Sequence, residues 1–285
     1  MKKYKVKNVR LTIQVVMLSI VTLAAISHGL MRKGIEIPWI SESLFHYICP
    51  TCGVSSIYEL FAGPAPLAVK LSSAFGIVVG LAIMSAVLFG PIICGFICPF
   101  GAIQDLLSRL GKKIFKTKFN KVIQKEIDNK LKNFRYFILV IAVILTATDS
   151  IPVLEALNPY HAYLSIFNMR FNGLAILGFI ILALVVGLSL VSQRPWCKYL
   201  CPYGAFLGLF NKIKVFRVVR EKSTCIGCKK CTNTCPMGIQ VDKKEEVRDL
   251  KCISCMECVK DNVCPKDNTI SFSSKDNEEE IEIIK

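Results

Sequence analysis

Four long apolar segments constrain this chain more than any other feature of its sequence. The first covers residues 9–30, with Arg10 and His28 near its ends. The second, 72–93, and the fourth, 173–191, carry no charge at all. The third begins near residue 134 as FRYFILVIAVILTAT and reaches bilayer length only if it continues toward residue 154. A helix needs about 20 apolar residues to cross roughly 30 Å of hydrocarbon. The balance of residue types agrees, since 53% of the 285 residues are hydrophobic and 20% are charged. Soluble domains carry about 25% charged residues. The expected fold is an α-helical membrane protein with about four transmembrane helices.

Charge then gives the orientation. Of the lysines and arginines, five lie in the N-terminal tail up to Arg10, ten from Arg109 to Arg135, and seventeen follow the fourth span. The two remaining loops hold three and one. Basic residues concentrate on the cytoplasmic side of membrane proteins, so both termini are expected in the cytoplasm, with the protein multi-pass in a bacterial-type inner membrane. The net charge of +15 reads as this topology signal rather than as a nucleic-acid surface. Membrane lipid is the expected surrounding.

The polar tail after the last span has its own signature. Residues 225–236 read CIGCKKCTNTCP and residues 252–265 read CISCMECVKDNVCP. The first is the C-x2-C-x2-C-x3-C-P run of two-cluster bacterial ferredoxins, and the second differs by having five residues before its last cysteine. Three closely spaced thiolates can hold three corners of a cubane, and the fourth cysteine of each run serves the other cluster. Cluster one is therefore assigned Cys225, Cys228, Cys231 and Cys264, and cluster two Cys252, Cys255, Cys258 and Cys235. Zinc ribbons use two ligand pairs instead of two triplets with trailing Cys-Pro, and disulfides are disfavoured in a reducing cytoplasm. Two [4Fe–4S] clusters are expected, in a small α+β domain over residues 215–285 that follows a helical domain over residues 1–214.

The helical part contains a repeat. CGFICPFGAIQDLLSRL begins at Cys94 and CKYLCPYGAFLGLFNKI at Cys197, aligning without gaps at an offset of 103. The membrane part thus reads as a duplicated hairpin unit. In a helix, Cys94 and Cys98 fall on one face at i and i+4, as do Cys197 and Cys201. Four such thiolates could converge on an additional iron or iron–sulfur site, or the cysteines could serve as small apolar residues between helices. Cys49 and Cys52, in HYICPTCG, fall on the expected outer side, where a C-x-x-C pair suits a structural disulfide, a redox dithiol or half of a metal site.

Taken together, the paired C-x3-C-P motifs after apolar spans, followed by the eight-cysteine tail, resemble the NapH-type family. That family is the quinol-dehydrogenase membrane component of periplasmic nitrate reductase systems. The pattern also resembles the membrane and polyferredoxin half of the nitrous-oxide-reduction regulator NosR. The resemblance implies an electron-transfer subunit of a membrane oxidoreductase, passing electrons between the quinone pool and redox partner proteins. Two other readings of the residues remain: a redox sensor whose cluster state gates a partner, and a metal-ion or thiol reductase using Cys49 and Cys52.

Overall fold

The computed structural model describes residues 6–31, 58, 74–116, 119–120, 125–148, 150–168, 175–260, 262–266 and 269–274. Cys49 and Cys52 lie outside the described residues. The chain divides into two compact units, one of Met1–Ile13, Ala82–Ile97 and Leu207–Lys285, the other of Gln14–Leu81 and Cys98–Phe206.

Helix α1 (Val6–Met31) contributes its start to the first unit and the rest to the second. Among the described residues it is the one helix long and apolar enough to cross a membrane, with a mean hydropathy of 2.1 over Val9–Leu30. Helices α2 (Ala74–Phe89) and α3 (Pro99–Phe115) follow, separated by a π-helical turn at Ile93–Ile97. Next come α4 (Lys125–Ala147), α5 (Ile151–Ala156), α6 (Pro159–Asn168) and α7 (Ala175–Val191). The apolar stretches Gly76–Phe89 and Ile176–Val191 are shorter than the first.

In the second unit, small residues let α3 and α7 approach closely. A Cβ on Gly111 would fall 1.9 Å from the Leu190 carbonyl oxygen, and Ser108 Oγ donates to the Ser189 carbonyl at 3.1 Å. Small and hydroxyl-bearing residues at a contact let two helix backbones come this close and hydrogen-bond across it. The short helix α8 (Pro195–Tyr199) anchors on α4, where Tyr199 donates to Asp128 at 2.6 Å and Lys132 and Lys198 pair with the same carboxylate. Helix α9 (Pro202–Leu209) ends the helical series.

The first unit holds an antiparallel three-stranded sheet in the order β2 (Glu246–Val247), β1 (Arg217–Arg220), β3 (Ile270–Ser273). Val218 pairs with Val247 on one side and Phe272 on the other. The segment leading into β1 completes the end of α2: the amides of Val215 and Phe216 donate to the carbonyls of Val87 and Leu88 at 3.2 and 2.8 Å. Those are carbonyls a helix end leaves without internal partners. Gly90, in the left-handed region at φ +78°, turns the chain there, and its amide closes the helix on the Ala86 carbonyl. Below the sheet, Val218, Met237, Ile239, Val241, Val247, Ile253 and Val263 form an apolar core that also includes Cys231, Cys235 and Cys255.

Candidate iron–sulfur centres

The two cysteine runs fold into loops of the same shape. In the first, Gly227 and Lys229 have φ of +69° and +57°, and in the second Ser254 and Met256, at the matching positions, have +47° and +55°. Left-handed residues alternating along a loop curl it so that successive amides face a common concavity, which suits a negatively charged group. Three of the four positions are not glycine, a backbone cost that persists only where the surroundings fix it. A five-residue helix, Lys230–Thr234, carries Cys231 out of the first loop and delivers Cys235 at its end.

Cys225, Cys228, Cys231 and Cys264 line one cavity, together with Asp242 and Thr269 among others. Cys228 is exposed, and so are Ile226, Lys229 and Lys230 around it. The Gly227 backbone amide holds the Cys225 thiol below its ordinary value of 9.0, against slight burial and with help from Arg220. Such a thiol is easier to convert to a thiolate ligand.

The remaining four cysteines are set deeper. Cys235 feels the charges of Cys255 and Cys252, and Cys258 those of Cys255, Cys235 and Cys252. Burial pushes the Cys235 thiol up to about 12, and burial also raises Cys255 and Cys258. Loading iron onto these thiols displaces their protons, so it is opposed by acid. Two four-sulfur sets, one around a cavity that reaches the surface at Cys228 and one set deeper around Cys235 and Cys255, fit a pair of cubanes in their donor chemistry. Among the described residues, no three histidine, cysteine or acidic side chains gather tightly enough to hold a single metal ion.

Behind the deeper set lies the turn that carries Cys94. Cys94 packs against the core of this unit. A Cβ on Gly95 would fall 2.6 Å from the Ile253 carbonyl oxygen and 3.2 Å from Cys255 Cα. Arg10, 3% exposed, donates from Nε to the Gly95 carbonyl at 3.1 Å and pairs with Glu257, which also accepts from Lys260. Burial pushes the Glu257 carboxyl up, but the charges of Arg10 and Lys260 more than reverse this and leave it below 4.5. Sequence reasoning counted Arg10 with the topology-setting charges and missed this role.

The other C-x3-C-P cysteines belong to the second unit. Same-face placement within one helix is not what forms. Cys94 sits in the π-helical turn, while Cys98, at ψ 115°, is the N-cap of α3 with Pro99 following. Likewise α8 carries Cys197 and ends before Cys201, which precedes Pro202. Proline disfavours helical backbone at the residue before it and is well placed as the first residue of a helix, so each motif breaks at its second cysteine. Cys201 Sγ accepts the Gly204 amide at 3.3 Å and caps its helix. Cys197 is pushed up to about 12 by burial, eased by Arg194 and raised further by Cys98; Gln104 Nε2 lies 3.5 Å from its sulfur. Beside it, fully buried Arg194 makes a two-pronged bond to Asp105 at 2.8 and 2.7 Å, and Gln14 donates to the same carboxylate at 2.8 Å. This network has no counterpart in the second copy, where Leu207 and Gly208 align with Gln104 and Asp105, and it was not legible in the motif.

Comparison with known proteins places the repeat and the tail in context. Residues 73–118 and 174–222 match a family described as a 4Fe-4S binding domain, once over each copy of the repeat. Residues 217–265 match a 4Fe-4S dicluster domain. Two uncharacterized proteins of Methanocaldococcus jannaschii are similar. MJ0749 is 32% identical over 194 residues, which is 68% of this chain and 69% of that protein. MJ0750 is 31% identical over 191 residues, 67% of this chain and 75% of that one. YccM of Escherichia coli, provisionally named an electron transport protein, is 30% identical over 230 residues, 79% of this chain and 62% of YccM. No solved structure matches.

Proposed function

Because the chain belongs to the same 4Fe-4S protein family as MJ0749 and MJ0750, we propose that it is an iron–sulfur electron-transfer protein held in a membrane by four helices, exchanging electrons between the quinone pool and redox proteins. The observation that carries this reading is the gathering of eight thiols into two sets, one around a cavity that reaches the surface at Cys228 and one set deeper around Cys235 and Cys255. Cys225, Cys228, Cys231 and Cys264 hold the first [4Fe–4S] cluster, and Cys235, Cys252, Cys255 and Cys258 the second. When bound, these clusters supply reversible one-electron chemistry. The chain keeps the second away from water, beside the Cys94–Gly95 turn, and leaves an edge of the first at the surface. There Ile226 is 60% exposed, and with Lys229 and Lys230 it offers a redox protein an apolar spot ringed by positive charge.

Support for the membrane comes from the outward faces of the helices. Ile77, Leu81, Met84 and Leu88 on α2 are exposed at helical spacing, as are Ile176, Ile180, Leu184 and Leu188 on α7. Phe137, Val140 and Ile144 on α4 and Val16, Ile20 and Leu23 on α1 do the same, while Gln14, Thr146 and Ser189 are buried. Apolar stripes outside and polar groups inside invert the pattern of a water-soluble bundle. The resemblance to quinol dehydrogenase components supports the quinone as the membrane-side reactant.

The test is anaerobic isolation from membranes, with iron and acid-labile sulfide counted per chain and electron paramagnetic resonance recorded before and after a reduced quinone analogue is added. About eight irons per chain and quinol-dependent reduction are expected. A correctly folded, colourless protein holding zinc or no metal would refute the carrier. Loaded clusters that the quinol leaves oxidised would refute the quinone assignment alone.

A further inference from the structure

The loop that carries Cys252 and Cys255 is backed by three polar side chains with unused hydrogen-bonding groups. Asn211 is fully buried, and Lys214 and Ser254 are each 1% exposed. The Asn211 amide donates to the carbonyls of Cys252 at 2.8 Å and Leu250 at 3.3 Å, which fixes it on the loop. Its Oδ1, Ser254 Oγ and Lys214 Nζ have no hydrogen-bond partner among the described residues. All three side chains crowd Gly90. A Cβ there would fall 2.6 Å from Asn211 Oδ1, 2.7 Å from Ser254 Oγ and 3.2 Å from Lys214 Cδ. The lysine stem therefore runs alongside the serine that sits between two of the candidate ligands.

Two observations point to a purpose. Ser254 adopts φ +47° at the position where the first loop uses Gly227, around which nothing lies within 4 Å of a built Cβ. A side chain is thus kept at a position that favours glycine, and its hydroxyl and the Lys214 stem both crowd Gly90. The second observation is the lysine itself. An ammonium buried without an acidic partner is strongly penalised unless a negative charge lies close by, and among the described residues no carboxylate pairs with Lys214 Nζ. A thiolate-ligated cubane is net negative, and more so when reduced, and net charge is one of the properties that set its potential.

We propose that Lys214 is a buried counter-charge of the cluster held by Cys235, Cys252, Cys255 and Cys258, and that it raises that cluster's reduction potential. This rests on the electron-carrier reading above. Lys214 is a positioning residue in this scheme, acting on the cluster through its charge and not as a ligand.

The test is a redox titration of the full-length, anaerobically prepared protein followed by electron paramagnetic resonance. Wild type is compared with Lys214→Met, Lys214→Gln and Lys214→Arg, and the second cluster is identified as the signal lost in Cys255→Ser. In the two neutral variants the second cluster is expected to become about tenfold harder to reduce at a fixed potential, about 59 mV for a one-electron couple. The first cluster should stay where it is, and Lys214→Arg should keep the wild-type value. Loss of the second cluster in both neutral variants with retention in Lys214→Arg would also support the proposal, because charge is then what the cluster needs. An unmoved potential in the neutral variants, an equal shift of both clusters, a shift in Lys214→Arg as large as in the neutral variants, or loss in all three would overturn it. Wild-type protein without iron or sulfide would instead refute the carrier reading on which it stands.

Discussion

At the scale of single residues, the chain depends on a few buried charges whose partners come from distant sequence. Arg194 is the clearest. Its guanidinium is fully buried, and a Cβ on Gly101 would fall 3.3 Å from three of its atoms, so the group has no room to turn elsewhere. Asp105→Asn leaves that charge without its counter-charge, and removing one member of a buried pair costs about 3 kcal/mol or more. The variant should therefore unfold at a clearly lower Tm in detergent while its iron content, measured before heating, stays near wild type. Glu246 gives a pH signature. Burial pushes its carboxyl up, but Arg248 and Arg217 outweigh this and hold it below 4.5. A depressed carboxyl contributes stability that is present above its ordinary value and is lost as pH falls through the lowered one. Stability of the three-stranded sheet should fall on acidification below about pH 4.5. Glu246→Gln should start lower, by roughly 1–3 kcal/mol for a weakened buried guanidinium, and show a flatter acid limb when Tm is followed against pH.

At the scale of elements, local rules were readable and long-range ones were not. The iron–sulfur character of the two cysteine runs could be read because three thiols on one tight loop are a local arrangement. The apolar helices could be read because hydropathy over some twenty residues needs no knowledge of neighbours. The break in each C-x3-C-P motif was also written locally, in Pro99 and Pro202, but the i,i+4 spacing of the cysteines drew attention from the proline that ends their common turn. By contrast, Arg10 meets Glu257 across 247 residues, and only the folded chain shows that a helix start supports a ligand loop. Lys214 was likewise one more basic residue on the cytoplasmic side. Ser254 in place of the glycine of the first loop was the available hint. The π-helical turn offers an element-level prediction. In Gly95→Ala the new methyl group collides with the Ile253 carbonyl, and overpacking of this kind costs about 1–3 kcal/mol. The variant should lose the buried cluster's signal in electron paramagnetic resonance while keeping that of the open one.

For the molecule as a whole, the proposed membrane residence and redox chemistry make different demands on the surface. Leucine, isoleucine and valine stripes face outward on four helices, so the protein should partition with membranes and stay dispersed only with detergent or lipid. The region that carries the two cysteine runs meets water with charged residues such as Lys222, Lys229 and Lys230. Within that domain the two thiol sets differ in one respect that matters once the protein leaves an anaerobic vessel. Cys228 stands in the open, whereas Cys235 and Cys255 are buried in an apolar core. Dioxygen should therefore reach the two sites at unequal rates. On exposure to air, bleaching should come in two phases, the first removing about half of the iron and the Cys228 side of the spectrum, the second slower and limited by local opening of the fold. Iron content and visible absorbance sampled against time would show whether the decay has that step, and a single-phase loss would mean that the buried site is no better shielded than the open one.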